Sequence, residues 1–208
     1  MFRRLFLLSP LMFYGAASLS AEKSVKAALV YFSWYDNTFQ EKIRPGDIDA
    51  TTSASLQAPG QVTQAARVIG QALGIEPIPI VVRAPYPVNY EDCLDQAIDE
   101  KTRKFRPALR SPENLPDFDV LFLGFPNWSY TLPMAVCTFL ETHSTKGKTI
   151  APFCVHGTGG LARTGRELRR CAPDAKILRT FSIYREDLDQ SAAELRSWAL
   201  NIVERFRS

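Results

Sequence analysis

Apolar residues along this chain come in two rhythms. Short unbroken runs occupy residues 27–32 and 120–123, and the mostly apolar residues 149–155 form another strand candidate. Runs of that length without polar alternation predict strands buried on both faces, as in a parallel sheet. Residues 75–82 predict another strand, placed at an edge by Pro77 and Pro79, and residues 175–184 predict the last one. Between the runs the period lengthens. Val62, Ala65, Ala66, Ile69 and Leu73 share one helical face that Gly74 terminates. Residues 90–104 predict a charged helix with Cys93, Leu94, Ala97 and Ile98 inward, and Val136, Phe139 and Leu140 mark a helix after Pro133. A short basic helix at 163–171 and an amphipathic helix at 191–206 complete the pattern. Residues 39–60 keep no period and read as a long loop, and residues 105–116 read as a linker.

Five alternations of strand and helix predict a doubly wound α/β fold. The expected form is a five-stranded parallel sheet in the order 2-1-3-4-5, covered by helices on both faces as a three-layer α/β/α sandwich. No repeat or second domain interrupts it, so residues 22–208 are expected to form one domain. Residues 1–21 stand apart. Arg3 and Arg4 precede an apolar run at 5–14 and a small-residue stretch to Ala21, the order of a secretory signal. The adjacent arginines resemble a twin-arginine signal and also suit the general secretory route. The alternative is an uncleaved signal that tethers the chain to the membrane.

Charge and cysteines narrow the partners. The formal net charge is +3, with no Lys/Arg block, which argues against nucleic acid. Export to the periplasm would place Cys93, Cys137, Cys154 and Cys171 in an oxidising compartment, with three pairings open. None has metal-site spacing with His143 or His156, so no metal is expected.

In this strand order, three loops meet at one edge of the sheet. Ser33, Asn37 and Thr38, with Gly60, Gln61, Val62 and Thr63, offer hydroxyls and backbone N–H groups at a helix start, which suits a phosphate. Pro126, Asn127, Trp128, Ser129 and Tyr130 follow the 120–123 strand, where Pro126 is expected to throw the two aromatics beyond the strand end as faces for a flat ring. His156, Gly157, Thr158, Gly159 and Gly160 bring backbone close to ring heteroatoms. A phosphate at one end and a planar ring at the other describe a mononucleotide, and FMN fits best.

From residue 27 to 203 the chain resembles the flavodoxin family, in its exported flavodoxin-like branch. The resemblance rests on Val-Tyr-Phe-Ser at 30–33, Gly-Phe-Pro-x-Trp at 124–128, Thr-Leu-Pro-Met at 131–134, Phe-Leu-Glu at 139–141 and Pro-Phe-Cys-x-His-Gly at 152–157. It implies non-covalent FMN and electron transfer. Ser33 would open the phosphate loop, Gly60 to Thr63 would close it, and Trp128 and Tyr130 would flank the ring. His156 would serve as a proton or hydrogen-bond donor, the one expected catalytic residue. Two departures stand out. The compact phosphate loop is broken by the 39–60 insertion, and the helix-start role falls on Gly60-Gln61-Val62, with one hydroxyl fewer than the family has. That loss is worth about three- to tenfold in affinity. Ser129 replaces an aromatic common in the family. The expected function is an FMN-dependent oxidoreductase of quinone or small-substrate type, supplied by NAD(P)H or a protein donor. An electron carrier and a module that has lost FMN are the alternatives.

Overall fold

The computed structural model describes residues 25–43 and 56–207, so the predicted signal and the middle of the 39–60 insertion lie outside the described residues. Strand β1 (Ala27–Tyr31) leads to helix α1 (Gln61–Leu73), followed by β2 (Ile78–Pro79), β3 (Val81–Val82), α2 (Tyr90–Arg103) and β4 (Leu109–Ser111). Then come β5 (Val120–Pro126), α3 (Met134–Thr142), β6 (Thr149–His156), α4 (Thr164–Cys171), β7 (Lys176–Ile177), β8 (Phe181–Tyr184) and α5 (Leu188–Arg207). The main sheet runs β2-β1-β5-β6-β7, all parallel, with β8 also on β6. Counting β7 and β8 as one broken strand, this is the expected 2-1-3-4-5 order.

The unbroken apolar runs are buried on both faces. Along β1 and β5, Ala28, Val30, Leu121, Leu123 and Phe125 enter the core shared with α2, α3 and α4. Leu29, Tyr31, Val120 and Phe122 enter the other, shared with α1 and α5. α1 ends at Gly74, whose φ of 66° is the left-handed conformation glycine tolerates. Asn89 caps α2, its side-chain oxygen accepting from the Asp92 N–H.

Three boundaries differ from expectation. The 75–82 run is split, because Pro77 and Pro79 bring no N–H to the ladder: β2 stays on β1 while β3 turns to pair antiparallel with β4. β4 lies inside the expected linker, where three residues are too few to show a period. The last strand breaks between Ile177 and Phe181. A disulfide joins Cys137 on α3 to Cys171 on α4, while Cys93 and Cys154 are buried free thiols. Among the described residues no helix is long and apolar enough to cross a membrane.

Candidate functional site

The carboxyl ends of β1, β5 and β6 open into a cleft of about 400 Å³. Ser33, just after β1, is 2% exposed, and its hydroxyl has no partner among the described residues. Gly60, directly before α1, faces it. A Cβ at residue 60 would lie 2.3 Å from Ser33 Oγ, so glycine is what lets the helix start approach the hydroxyl. No side chain caps α1, which leaves its first-turn N–H groups without the usual local acceptor.

Asn37, Thr38 and Thr63 do not line the cleft; their side chains are spent on the scaffold. Asn37 donates to the carbonyls of Ser33 and Ile80, at 2.9 and 2.8 Å, and accepts from the Val82 N–H at 2.8 Å. Thr38 donates to the Tyr86 carbonyl and Thr63 to Asp36. Gln61 and Val62 line the cleft beside Ser33, and Gln61 Nε2 donates to the Arg185 carbonyl at 3.3 Å.

The second loop does not project as a whole. Trp128 turns inward, only 8% exposed, edge-on to Phe32, Trp34 and Tyr86. Tyr130 alone stands out, at 67% exposure. The cause is a tight turn in which Trp128 and Thr131 exchange both backbone bonds, at 2.8 and 3.1 Å. Its central residues, Ser129 and Tyr130, have φ of 50° and 61°. Two consecutive left-handed residues favour Asn-Gly, so a Ser-Tyr pair stores about 1–3 kcal/mol per residue. Lys101 on α2 holds this turn, donating to Ser129 O and Oγ at 3.1 and 3.2 Å. Arg163 N–H donates to Tyr130 O. Ser129, expected to be a gap in the ring wall, thus anchors the turn. Asn127 Nδ2 donates to Gly160 O at 2.6 Å and ties this loop to the third, leaving Asn127 Oδ1 buried without a partner.

In the third loop, Gly157, Thr158 and Gly159 line the cleft, and Gly160, at φ 57°, turns away from it. A Cβ at 159 would come within 3.1 Å of both Asn127 Nδ2 and Tyr130 Cε1, so a larger residue where the two loops meet would make these side chains shift. Both ring nitrogens of His156 are engaged, Nδ1 at 2.8 Å from Gly157 O and Nε2 at 2.7 Å from Ser182 Oγ.

A fourth wall was missed from sequence. Tyr90, Cys93, Leu94 and Ala97 of α2 close one side, along with Trp34, whose indole N–H donates to Pro87 O. The period of α2 reads Cys93, Leu94 and Ala97 as core-facing, which does not separate core from cleft. Arg185, after β8, completes the lining and had no local signal. Behind this wall, buried Glu100 accepts from Tyr86 Oη at 2.9 Å and from Gln96 at 3.0 Å. Burial holds its carboxyl above the usual carboxylate range and pushes the Cys93 thiol up.

A family model described as flavodoxin matches residues 52–202. The fold resembles that of a protein from Bacteroides eggerthii provisionally assigned as a flavoprotein, at 26% identity and TM-score 0.61, covering 87% of this chain and 99% of that one. It also resembles a flavoprotein in complex with FMN from Lactobacillus acidophilus, at 14% identity and TM-score 0.57, covering 80% and 98%. No curated protein matches the chain.

Proposed function

Because the chain belongs to the flavodoxin family, we propose that the cleft binds FMN and that the protein is an FMN-dependent oxidoreductase acting on a quinone or another small acceptor outside the cytoplasm. One observation carries the FMN reading. The buried side-chain polar atoms without a partner among the described residues are Ser33 Oγ, Asn127 Oδ1 and Trp128 Nε1, and all three residues line this cleft. Buried polar groups cost stability unless bonded, so such a cluster in one cavity fits a ligand with acceptors and donors along its length. FMN has phosphate and carbonyl oxygens as acceptors and ribityl hydroxyls and a ring N–H as donors.

The start of α1, with the N–H groups of Gln61, Val62 and Thr63 and the Ser33 hydroxyl, would hold the phosphate. Asn127 and Trp128 would satisfy polar atoms farther along, and the backbone of Gly157 to Gly159 would meet the ring's polar edge. Tyr130 would cover the ring, since its exposed side chain can turn off Gly159 without leaving a packed core. His156 would act chiefly by bracing the third loop, because releasing a proton from it disturbs its contact with Ser182 or Gly157. When bound, FMN supplies reversible electron transfer, and the protein sets access and electrostatics around it. The Cys137–Cys171 disulfide and the 1–21 pattern support export, since such bonds persist in oxidising compartments.

The purified protein is expected to be yellow, with apoprotein quenching FMN fluorescence on titration and NAD(P)H driving quinone reduction. A colourless protein that leaves FMN fluorescence unchanged would sink the flavin reading. Oxidation of the reduced flavin by a protein partner alone would instead make this an electron carrier.

A further inference from the structure

We propose that Arg185 is a phosphate-recognition residue of the cleft, so that FMN is selected over riboflavin by a fixed cation as well as by the helix start; this rests on the FMN reading above. The cleft lining contains no Asp or Glu, and Arg185 is its one Lys or Arg. Lys101, a cation beside the cleft, is spent on Ser129. Arg185 is half-buried as a residue, and its guanidinium has no hydrogen bond or ion pair among the described residues. Partial burial of a charge without a counter-charge is unfavourable, and an anion entering the cleft relieves it.

The Arg185 backbone lies beside the α1 start. Gln61, the first residue of α1, donates its side-chain amide to the Arg185 carbonyl at 3.3 Å. The guanidinium lies over Gly157, with its carbon and Nη1 3.7 Å from where a Cβ at 157 would sit. Arg185 therefore spans from the helix start to the third loop. At the same helix start, Ser33 Oγ is buried, unpartnered and part of the cleft lining. The uncapped helix start, the orphan Ser33 hydroxyl and the Arg185 guanidinium belong to one cleft, where an anion can be shared among them, and the phosphate is the anionic part of FMN. The cation also compensates for the hydroxyl that Gln61-Val62 lacks.

The test compares FMN and riboflavin binding to the apoprotein by flavin fluorescence quenching, for the natural chain, Arg185→Met and Arg185→Lys. Folding should survive both changes, because the scaffold contact of residue 185 uses its backbone carbonyl. Arg185→Met should weaken FMN about ten- to hundredfold and riboflavin by less than about threefold, with Arg185→Lys between. Added salt should weaken FMN binding to the natural chain more than to Arg185→Met. Equal losses for both flavins would put Arg185 at the ring or in the scaffold and overturn the assignment, as would unchanged FMN affinity. Failure of the natural chain to bind either flavin would fail the flavin reading itself, a result distinct from loss of phosphate selectivity.

Discussion

Ser33 and Asn37 lie four residues apart in the same loop, each 2% exposed, and they are opposites. Every polar atom of the Asn37 side chain is bonded: two carbonyls accept from its amide, and one backbone N–H donates to its oxygen. The Tyr86 N–H donates to its backbone carbonyl as well. The Ser33 hydroxyl has no partner among the described residues. Burial alone does not distinguish a scaffold residue from a ligand-binding one; the state of its hydrogen bonds does. Asn37 replaces missing sheet bonds where β1, the loop and the β2–β3 break converge. Ser33 has a donor and an acceptor that no described residue uses, which is what the proposed FMN phosphate would take up.

The difference is broken most forcefully at Asn37. Asn37→Ala removes three buried bonds and strands two carbonyls and an N–H, so apoprotein stability should fall by about 3–5 kcal/mol, read by urea denaturation. A loss below about 1 kcal/mol would mean water replaces the side chain, and Asn37 would then belong with Ser33 rather than opposite it.

How far these roles could be read from sequence follows from the same contrast. The buried strands at 27–32, 120–123 and 149–155 were legible because burial on both faces erases polar alternation. Strand–helix alternation predicts the parallel sheet, and the convergence of three loops follows once that sheet takes the doubly wound order 2-1-3-4-5. Asn37-Thr38, however, looks like the end of a family phosphate loop, yet its atoms are spent on Ile80, Val82 and Tyr86, partners about fifty residues away in sequence. Nothing local announces such partners. Trp128 was expected to project, but the left-handed turn at Ser129 and Tyr130 folds it inward among Phe32, Trp34 and Tyr86. That conformation is disfavoured for both residues, so local propensity points away from it; Lys101, from α2, stabilises it. Arg185 reaches the cleft only because β8 pairs with β6 beyond the end of β7, a detail of register.

Glu100 sharpens the comparison with a third kind of buried polar group, one fully bonded but able to charge. It is 3% exposed, with Tyr86 and Gln96 as donors and no salt bridge among the described residues, Arg103 offsetting only a little of the burial. Burial is the first cause of its raised pKa, with a smaller contribution from Asp99. The unfolded chain therefore loses this proton at lower pH than the folded one, near the ordinary 4.5, and stability falls as pH rises from there through the raised folded value. Glu100→Gln keeps an acceptor for Tyr86 and removes the titration. It should flatten that fall and raise the neutral-pH melting temperature by a few degrees, at about 2–4 °C per kcal/mol. An unchanged pH slope would show that Glu100 stays charged in the folded protein at little cost.

The smallest expected effect is the most discriminating. Ser33→Ala deletes one hydroxyl that has no partner, so the apoprotein should melt at the same temperature or slightly higher, because an unsatisfied buried group is removed. Gly60 leaves ample room for the change, since the new side chain is shorter than the one it replaces. FMN affinity should fall about three- to tenfold, the value of one hydrogen bond, with riboflavin less affected if the hydroxyl meets the phosphate. The two readouts must move separately. A melting loss above about 1 kcal/mol equivalent would give Ser33 a structural partner and remove the contrast with Asn37. Unchanged affinity for both flavins, with unchanged melting, would leave the hydroxyl idle and move the phosphate away from the start of α1.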